Sequence, residues 1–328
     1  MSRIPVLVAS LLLFSGMVKQ AQRSSSEHAK PRTLMTLPQA IKFIQPSIVQ
    51  ITLNLDGLSS SDRARLALGE RQSLAKALGT GFLVNEAGYV LTANHVIKAF
   101  EDTQVEGHKS LSAGLAVPNG EVPGLPKNIH IDMRAGFDGI KFDIVDRDVD
   151  HDLILLKLQQ NPFKGESTGM IIKFGGKETN FISPRAATLS PARPQDGEAI
   201  AVSGYPLNSN VLVTTSGTLA SSWPYTEGVQ VPDTATQFRT PEIMDFYFAD
   251  VRVNGGNSGG PVYSVQTGKV IGVCVSTALA PVIFGDGQKE AVFTTDHRPL
   301  DYNAGLTIMV PIRYALDLLK KHNLKWKE

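Results

Sequence analysis

The chain is poor in cysteine, in net charge and in known cofactor motifs. Cys274 is the only cysteine among 328 residues, which excludes an intramolecular disulfide and a cysteine-clustered zinc or iron–sulfur site. Lysine and arginine number 32 against 31 aspartates and glutamates, a formal net charge of +1. This balance argues against a nucleic-acid-binding protein, since that class usually carries a basic excess. No H-E-x-x-H, P-loop or dinucleotide glycine motif occurs, so we expect no metal and no cofactor.

Apolar residues nevertheless make up 42% of the chain and charged residues 19%. That balance supplies a hydrophobic core and excludes disorder as a description of the whole chain. The 29 glycines and 19 prolines are somewhat above average usage, which favours many turns and short strands. The composition therefore predicts one large globular domain or two ordinary ones.

The N-terminal segment is typical of an export signal. Arg3 supplies a positive charge and is followed by an uncharged, mostly apolar run from Ile4 to Val18. This run is shorter than the about 20 residues that a membrane-spanning helix needs. Ala21 is a candidate cleavage position. We interpret residues 1–21 as a signal peptide or, if it is retained, as a membrane tether, and residues 22–36 as a polar linker.

The body of the chain is patterned mainly as short strands. Apolar runs of strand length recur between residues 48 and 275, which favours β-barrels or a β-sandwich. Ser59–Leu78 is rich in Ala, Leu, Arg, Gln and Glu and predicts a helical insertion in a long loop. Gln160–Pro184 indicates a connection between two halves. Residues 312–323 predict a short amphipathic C-terminal helix, begun by Pro311 and ending in basic residues.

Three short motifs carry the candidate chemistry. Ser258 lies among four glycines in Asn254–Pro261, a turn whose backbone N–H groups can converge on one point, as oxyanion stabilisation requires. His95 is predicted at the end of an apolar strand, and Asp152 stands at the head of another. A serine hydroxyl needs a base within hydrogen-bond reach, and the base needs an acceptor that fixes its tautomer. The order histidine, aspartate, serine is one of three known for such a triad.

Two other interpretations of these motifs fail. Residues 256–260 also fit G-x-S-x-G, the nucleophile elbow of α/β-hydrolases, but that elbow needs a helix directly after the serine. Here glycine, glycine and proline follow the serine. Residues 148–152 imitate the start of a calcium-binding EF-hand loop, yet Leu153 stands where that loop needs glycine and Gln159 where it needs glutamate. We therefore expect neither an α/β-hydrolase nor a calcium site.

In combination, four motifs resemble trypsin-like serine proteases of the HtrA/Deg type. They are Gly79–Val84, Gly88–Val96, Asp152–Leu158 and Gly256–Pro261. The resemblance implies an all-β, chymotrypsin-like fold of two six-stranded antiparallel β-barrels with the active site in the cleft between them. It also implies a serine endopeptidase that hydrolyses polypeptides through an acyl-enzyme and is exported to the bacterial periplasm or cell envelope. The scarcity of cysteine fits the bacterial members of that fold.

The same resemblance suggests domain boundaries. Residues 37–328 would form the protease domain, with barrel one at about 45–160, a connection at about 160–195 and barrel two at about 196–311. HtrA/Deg proteins usually carry PDZ domains after the protease, whereas the residues after Pro311 are too few for one. Three segments are expected to be loop insertions that cover or shape the cleft: Asp56–Leu78, Phe100–Gly139 and Ser221–Asp245.

Roles for the site residues follow from the resemblance. Ser258 would be the nucleophile, His95 the general base and then acid, and Asp152 the residue that orients the histidine. The N–H groups of Gly256 and Ser258 would form the oxyanion hole, and Asn257 would shape the loop between them.

The substrate pocket is predicted with two alternatives open. Arg252, six residues before Ser258, would favour an acidic substrate side chain if it lies at the base of the pocket. In the other interpretation Arg252 points outward or pairs with Asp250. Small residues on the far wall suggest a modest, uncharged substrate side chain: Val275, Ser276, Thr277 and Ala278.

The class-level alternative to an enzyme is a catalytically silent or latent protease-fold module that binds or chaperones polypeptides. Cys274 is expected to be a small buried hydrophobic residue rather than a reactive thiol. His151 is expected on the strand face opposite to Asp152, without a catalytic role. Homo-oligomerisation and retention of the membrane tether stay open.

Overall fold

The computed structural model describes residues 34–54, 75–101, 110–115, 140–164, 171–174, 177–180, 184–208, 211–222, 245–282, 292, 294–295 and 300–328. The chain divides into two units, Met1–Leu34 and Met35–Glu328, and the fold below belongs to the second. The predicted signal segment, residues 1–21, lies outside the described residues. Within the described ranges no helix is both long enough and apolar enough to cross a membrane.

The first barrel is built from six antiparallel strands of the N-terminal half. They are β1 (Ile48–Asn54), β2 (Ala75–Leu83), β3 (Tyr89–Ala93), β4 (Ser110–Leu115), β5 (Ile140–Asp148) and β6 (Leu153–Leu158). Hydrogen bonds close the barrel in the order β1-β2-β3-β6-β5-β4. The first four residues of β6 are all fully buried, which is why this strand is a continuous apolar run instead of an alternating one.

The second barrel repeats this arrangement in the C-terminal half. Its strands are β9 (Ala199–Gly204), β10 (Val213–Ser221), β11 (Tyr247–Asp250), β12 (Pro261–Ser264), β13 (Val270–Pro281) and β14 (Asp301–Pro311), closed in the order β10-β11-β14-β13-β12-β9. In the part of the chain that connects the two barrels, β7 (Ile171–Phe174) and β8 (Lys177–Asn180) form a two-stranded sheet. The predicted fold of two six-stranded antiparallel barrels is thus confirmed.

Three α-helices accompany the barrels in the described part of the chain. Helix α1 (Leu37–Ile44) begins with a capping box, in which the backbone N–H of Thr36 donates to Gln39 Oε1 at 2.8 Å. Helix α2 (Asn94–Glu101) follows β3 directly. Helix α3 (Ile312–Lys321) follows β14 and buries its apolar side.

The predicted helical insertion at Ser59–Leu78 is wrong at its C-terminal end. Ala75–Leu78 belongs to strand β2 and pairs with β1, for example Ala77 with Thr52. Alanine, lysine and leucine favour helix in isolation, but pairing with a neighbouring strand outweighs that weak preference. Residues 59–74 lie outside the described part.

The predicted insertion at Phe100–Gly139 also needs correction. Its first two residues end helix α2, and residues 110–115 form β4, which pairs with β1 and β5 to close barrel one. The barrel needs this segment to close. Without β4 the facing edges of β1 and β5 would leave a row of backbone groups unpaired. Of the third predicted insertion, only residues 221, 222 and 245 are described.

Candidate active site

A histidine and an aspartate of barrel one form a close pair. His95 Nδ1 lies 2.5 Å from Asp152 Oδ2, and the backbone N–H of His95 donates to Asp152 Oδ1 at 2.8 Å. The aspartate side chain is 14% exposed and the histidine side chain 45%. Since Nδ1 donates to the carboxylate, Nε2 is left as the free acceptor on the open side of the ring. This is the tautomer that a general base needs.

The pair is placed by the junction of strand and helix. His95 is the second residue of α2 and not the last residue of a strand, as the sequence had suggested. The backbone carbonyl of Asp152 accepts from Asn94 N at 2.8 Å. The aspartate therefore satisfies two N–H groups at the start of α2, where the helix dipole also favours a negative charge.

Arg147 of β5 contacts both ends of the helix that carries His95. One guanidinium nitrogen donates to Asn94 Oδ1 at 2.9 Å, and another pairs with Glu101. Asn94 and Glu101 are the first and last residues of α2. Arg147 thus connects β5 to both ends of the helix that carries His95, although no sequence motif singled it out.

Ser258 lies in a loop made of two consecutive tight turns. Asn257 N donates to Asn254 O at 3.0 Å, and Gly260 N donates to Asn257 O at 2.9 Å. The third residue of each turn has positive φ, +102° at Gly256 and +81° at Gly259. Positive φ at that place is the pattern of a type II turn and explains the glycines.

The space around Gly256 and Gly259 excludes a side chain, just as their positive φ angles disfavour one. A Cβ on Gly256 would lie 2.2 Å from the backbone oxygen of Tyr205, and one on Gly259 would lie 2.0 Å from Thr92 Oγ1. Both distances are far inside van der Waals contact. Gly259 therefore lets the serine loop of barrel two pack closely against barrel one, and Gly256 lets it pack against the Tyr205 loop of its own barrel.

A buried threonine of barrel one is hydrogen-bonded to the loop of barrel two that carries Ser258. Thr80 N donates to the carbonyl of Ser258 at 2.9 Å, and Thr80 Oγ1 donates to the carbonyl of Gly256 at 2.7 Å. The same hydroxyl accepts from Tyr205 N at 3.0 Å. The motif Gly79–Val84 contains Thr80 but does not predict this role. The one signal in the sequence is a threonine placed between two glycines.

The predicted oxyanion donors are oriented by the loop. Leu207 N donates to the carbonyl of Gly255 at 2.7 Å. Because the carbonyl and the N–H of a trans peptide point in opposite directions, the N–H of Gly256 faces away from Leu207. Among the described residues the N–H groups of Gly256 and Ser258 donate to no protein acceptor. The N–H of Asn257 is already used within its turn.

The serine hydroxyl itself is not bonded to the histidine. Ser258 Oγ donates to the carbonyl of Val275 at 3.5 Å, the long end of the hydrogen-bond range. Catalytic hydrogen bonds are often long or misaligned before substrate binds. The structure therefore brings His95 and Asp152 into direct contact and places Ser258 in a separate, weakly held rotamer.

Four of the predicted pocket residues lie in the middle of β13, and Arg252 follows the end of β11. Val275 and Ala278 are buried, Ser276 and Thr277 are partly buried, and Arg252 is exposed between the buried Val251 and Val253. Arg252 therefore faces solvent in the segment that follows β11.

The hydroxyl of Thr277 is engaged with strand β14. It donates to Asn303 Oδ1 at 2.8 Å, and Asn303 Nδ2 donates to the carbonyl of Val253 at 3.0 Å. Asn303 thus connects two of the segments from which the pocket was expected.

The single cysteine is chemically quiet. Cys274 is buried inside barrel two, and burial raises the pKa of its thiol to about 12. The residues that the structure describes contain no group of three or more His, Cys, Asp or Glu side chains placed to bind a metal ion.

Comparisons with known proteins agree with this architecture. A family model for the trypsin-like peptidase domain matches residues 79–273. A probable periplasmic serine endoprotease, DegP-like, from Pseudomonas putida (strain GB-1) is 23% identical over 299 residues, covering 82% of this chain and 49% of that protein. A protein of the same description from Pseudomonas fulva (strain 12-X) is 24% identical over 207 residues, covering 62% of this chain and 30% of that protein.

The chain was also compared with solved structures. The HtrA-type protease AlgW with a decapeptide shares 16% sequence identity and has a TM-score of 0.49, with 87% of this chain and 66% of that chain covered. The chain spans about half the length of the relative from Pseudomonas putida that it matches.

Two closed six-stranded barrels, with a histidine–aspartate pair in one and a glycine-framed serine in the other, define a chymotrypsin-like fold of the peptidase class. The family match covers more than half of the sequence, and the chain belongs to the trypsin-like peptidase family. The resemblance to HtrA/Deg-type serine proteases inferred from its motifs is confirmed by the same matches.

Proposed function

We propose that this chain is a serine endopeptidase with Ser258 as nucleophile, His95 as general base and acid, and Asp152 as the residue that orients the histidine. One observation carries the proposal. His95 is held by the same carboxylate at two points, its ring at 2.5 Å and its backbone N–H at 2.8 Å. That double contact fixes both the tautomer and the ring orientation, as the base of a serine protease requires.

The proposed reaction has two halves. His95 Nε2 takes the proton of Ser258 as its Oγ bonds to the substrate carbonyl carbon, and the charge on the oxygen is stabilised by the N–H groups of Gly256 and Ser258. The protonated histidine then gives its proton to the leaving amine, and the peptide C–N bond breaks. Water, deprotonated by the same histidine, hydrolyses the acyl-enzyme and restores the serine.

The substrates and the location are proposed from the relatives. The two DegP-like proteins are described as periplasmic endoproteases, and AlgW has been solved with a decapeptide. Together with the N-terminal run after Arg3, these descriptions support an exported bacterial protein that cleaves unfolded or exported polypeptides in the cell envelope. In this proposal residues 1–21 direct export or tether the chain to a membrane.

A second candidate function is a latent or catalytically silent module that binds polypeptides. The hydrogen bond of Ser258 to the Val275 carbonyl at 3.5 Å favours it, because a hydroxyl that donates to a carbonyl does not donate to the base. An enzyme at rest and an inactive binding module share this arrangement. They differ in whether the hydroxyl turns toward His95 when substrate is present.

Hydrolysis of denatured casein by the purified full chain tests the proposal, with labelling of Ser258 by a fluorophosphonate probe as a second readout. We expect cleavage and labelling in the unmodified chain, and neither in Ser258→Ala. Casein binding without cleavage or labelling would support the second function. Cleavage that survives in Ser258→Ala would refute the assignment of the nucleophile.

A further inference from the structure

The turn before Asp152 has an unusual backbone. Asp152 adopts a φ of +53°, in the left-handed region that residues other than glycine rarely visit. Its N–H donates to the carbonyl of Val149 at 3.2 Å. A non-glycine residue stays in this region only when its surroundings hold it there. The contacts of the turn therefore determine where the carboxylate of Asp152 points.

The preceding residue, His151, is held within the turn by Asp148. The backbone N–H of His151 donates to Asp148 Oδ1 at 3.2 Å, and its ring Nδ1 donates to Asp148 Oδ2 at 2.8 Å. The His151 side chain is only 15% exposed. Both ends of one carboxylate thus bind the residue that leads into Asp152.

The other side of the His151 ring is covered by the C-terminal helix. Its ring stacks on that of Tyr314 with 3.5 Å between centroids and 16° between planes. From the sequence, His151 has no expected catalytic role, because alternation along a strand would place it on the face opposite to Asp152. In the structure both residues instead lie in the turn between β5 and β6, and the ring of His151 packs against helix α3.

Tyr314 is in turn fixed by its neighbour in α3. Arg313 donates to Tyr314 Oη at 2.9 Å and lies 4.7 Å from the centre of its ring. The same guanidinium donates to Tyr247 Oη at 2.9 Å and pairs with Asp245, both at the start of β11 in barrel two. The α3 contact cluster, made of Asp148, His151, Arg313 and Tyr314, thus connects the turn before Asp152 to the second barrel.

We propose that His151 is a positioning residue for Asp152, acting through the α3 contact cluster. It does not touch the reacting atoms. Asp152 must meet both the ring and the backbone N–H of His95 at once, so a small rotation of the left-handed turn breaks at least one contact. The inference rests on the proposed function, since it concerns the residue that orients the general base.

The test compares His151→Ala and Tyr314→Ala in the full chain. A displacement of about 1 Å at a catalytic group can cost on the order of 10²-fold in rate. We expect kcat for a peptide substrate to fall by about tenfold to 10²-fold in each variant, with KM changed less than about twofold, because substrate contacts are untouched. The double variant should fall little below His151→Ala, since both changes remove the stacking of His151 on Tyr314. Unchanged kcat in both single variants would overturn the proposal.

A spectroscopic readout separates this inference from the proposed function. The proton between His95 Nδ1 and Asp152 should give a proton NMR signal far downfield of the amides, observable without substrate. We expect His151→Ala to shift or broaden that signal while the unmodified chain shows it sharply. If the unmodified chain is well ordered but inactive, the peptidase proposal is refuted. The NMR signals of the unmodified chain and of His151→Ala can still be compared in that case. An unchanged signal in the variant would overturn the positioning role.

His322→Ala is the matched control. His322 makes the neighbouring contact between the end of α3 and barrel one, with Nε2 2.8 Å from Asp146 Oδ2. It should lower thermal stability comparably and leave kcat and the downfield signal unchanged. An equal loss of kcat would show that any loosening of α3 suffices, which contradicts a specific role for His151. If His151→Ala does not fold, His151→Phe keeps the ring on Tyr314 and removes only the hydrogen bond between ring Nδ1 and Asp148, and an unchanged kcat there would likewise overturn the proposal.

Discussion

The hydroxyl of Thr80 donates a 2.7 Å hydrogen bond to the carbonyl of Gly256, a residue 176 positions further along the chain. It also accepts a 3.0 Å bond from the backbone N–H of Tyr205. One buried side chain of barrel one therefore connects two loops of barrel two, including the loop that carries Ser258. The shape of the proposed oxyanion hole depends on the other barrel as much as on its own glycines.

Replacing Thr80 by valine should weaken both the fold and catalysis. Thr80→Val keeps the shape of the side chain but removes both of these hydrogen bonds, at a cost of about 1–3 kcal/mol in the free energy of unfolding. We also expect a lower kcat, because the Gly256 carbonyl loses its support. Urea unfolding and steady-state kinetics measure the two effects. Thr80→Ser, which restores the hydroxyl, should recover most of both; full kcat in Thr80→Val would contradict the supporting role.

Replacing Gly256 by alanine should damage the serine loop directly. The residue has a φ of +102°, and a Cβ there would lie 2.2 Å from the Tyr205 oxygen. Because that oxygen belongs to the backbone, the loop must move, and we expect kcat to fall about 10²-fold to 10³-fold, as for loss of one oxyanion donor. Gly197→Ala is the control, since Gly197 has a φ of +82° and nothing within 4 Å of a Cβ. It should lower stability and leave kcat intact.

Asp152→Asn should lower activity without unfolding the protein, because it changes the tautomer of His95 and little else. The amide oxygen can still accept from the backbone N–H of His95, so the fold should survive. The amide N–H would face Nδ1 and favour the wrong tautomer of the ring, which lowers kcat by about 10⁴-fold in serine proteases of this geometry. Kinetics on a peptide substrate check the prediction, with the exposed neighbour Asp150→Asn as control. Equal activity in the two variants would remove Asp152 from the proposed mechanism.

Asp146 should make stability depend on pH in the acid range. Hydrogen bonds from Lys321 and then from His322 hold the pKa of its carboxyl well below its usual value. A carboxyl whose pKa is lower in the folded than in the unfolded state contributes stability above its unfolded pKa, about 3.9, and loses it as pH falls toward the folded pKa. Asp146→Asn should therefore be less stable than the unmodified chain at pH 6, by about 1 kcal/mol or less.

The difference in stability between Asp146→Asn and the unmodified chain should shrink as pH is lowered below about 4. Thermal unfolding of both proteins between pH 2 and pH 7 measures it. A difference that stays constant across this range would show that the ion pair at the end of α3 contributes nothing through its charge.

Cys274 should be inert in the folded protein. Burial raises the pKa of its thiol to about 12, and the thiolate is the reactive form. We expect no reaction with iodoacetamide at pH 8 in native conditions and complete reaction in denaturant. Casein cleavage should be the same before and after native treatment. Rapid native labelling would mean that barrel two opens far more often than a closed barrel should.

Residue type and order were enough to identify the candidate triad. His95, Asp152 and Ser258 are separated along the chain, but each stands in a short motif whose chemistry is recognisable locally. The glycines around Ser258 also had a local reason, since tight turns require positive φ. Ala75–Leu78 shows where this reasoning ends: its composition favours helix, and only the partner strand β1 makes it extended.

The sequence by itself determined the strand-rich composition, the cysteine-poor core and the residues that could act as nucleophile, base and orienting acid, because these depend on residue chemistry and short-range pattern. Tertiary structure alone decided that Thr80 supports the loop of Ser258, that Asp152 sits in a left-handed turn, and that His151 stacks on Tyr314. The contacts of Thr80 and of His151 join segments far apart in the chain, and no local periodicity encodes which distant segment the fold brings into reach. The left-handed turn at Asp152 persists only because the surrounding structure holds it.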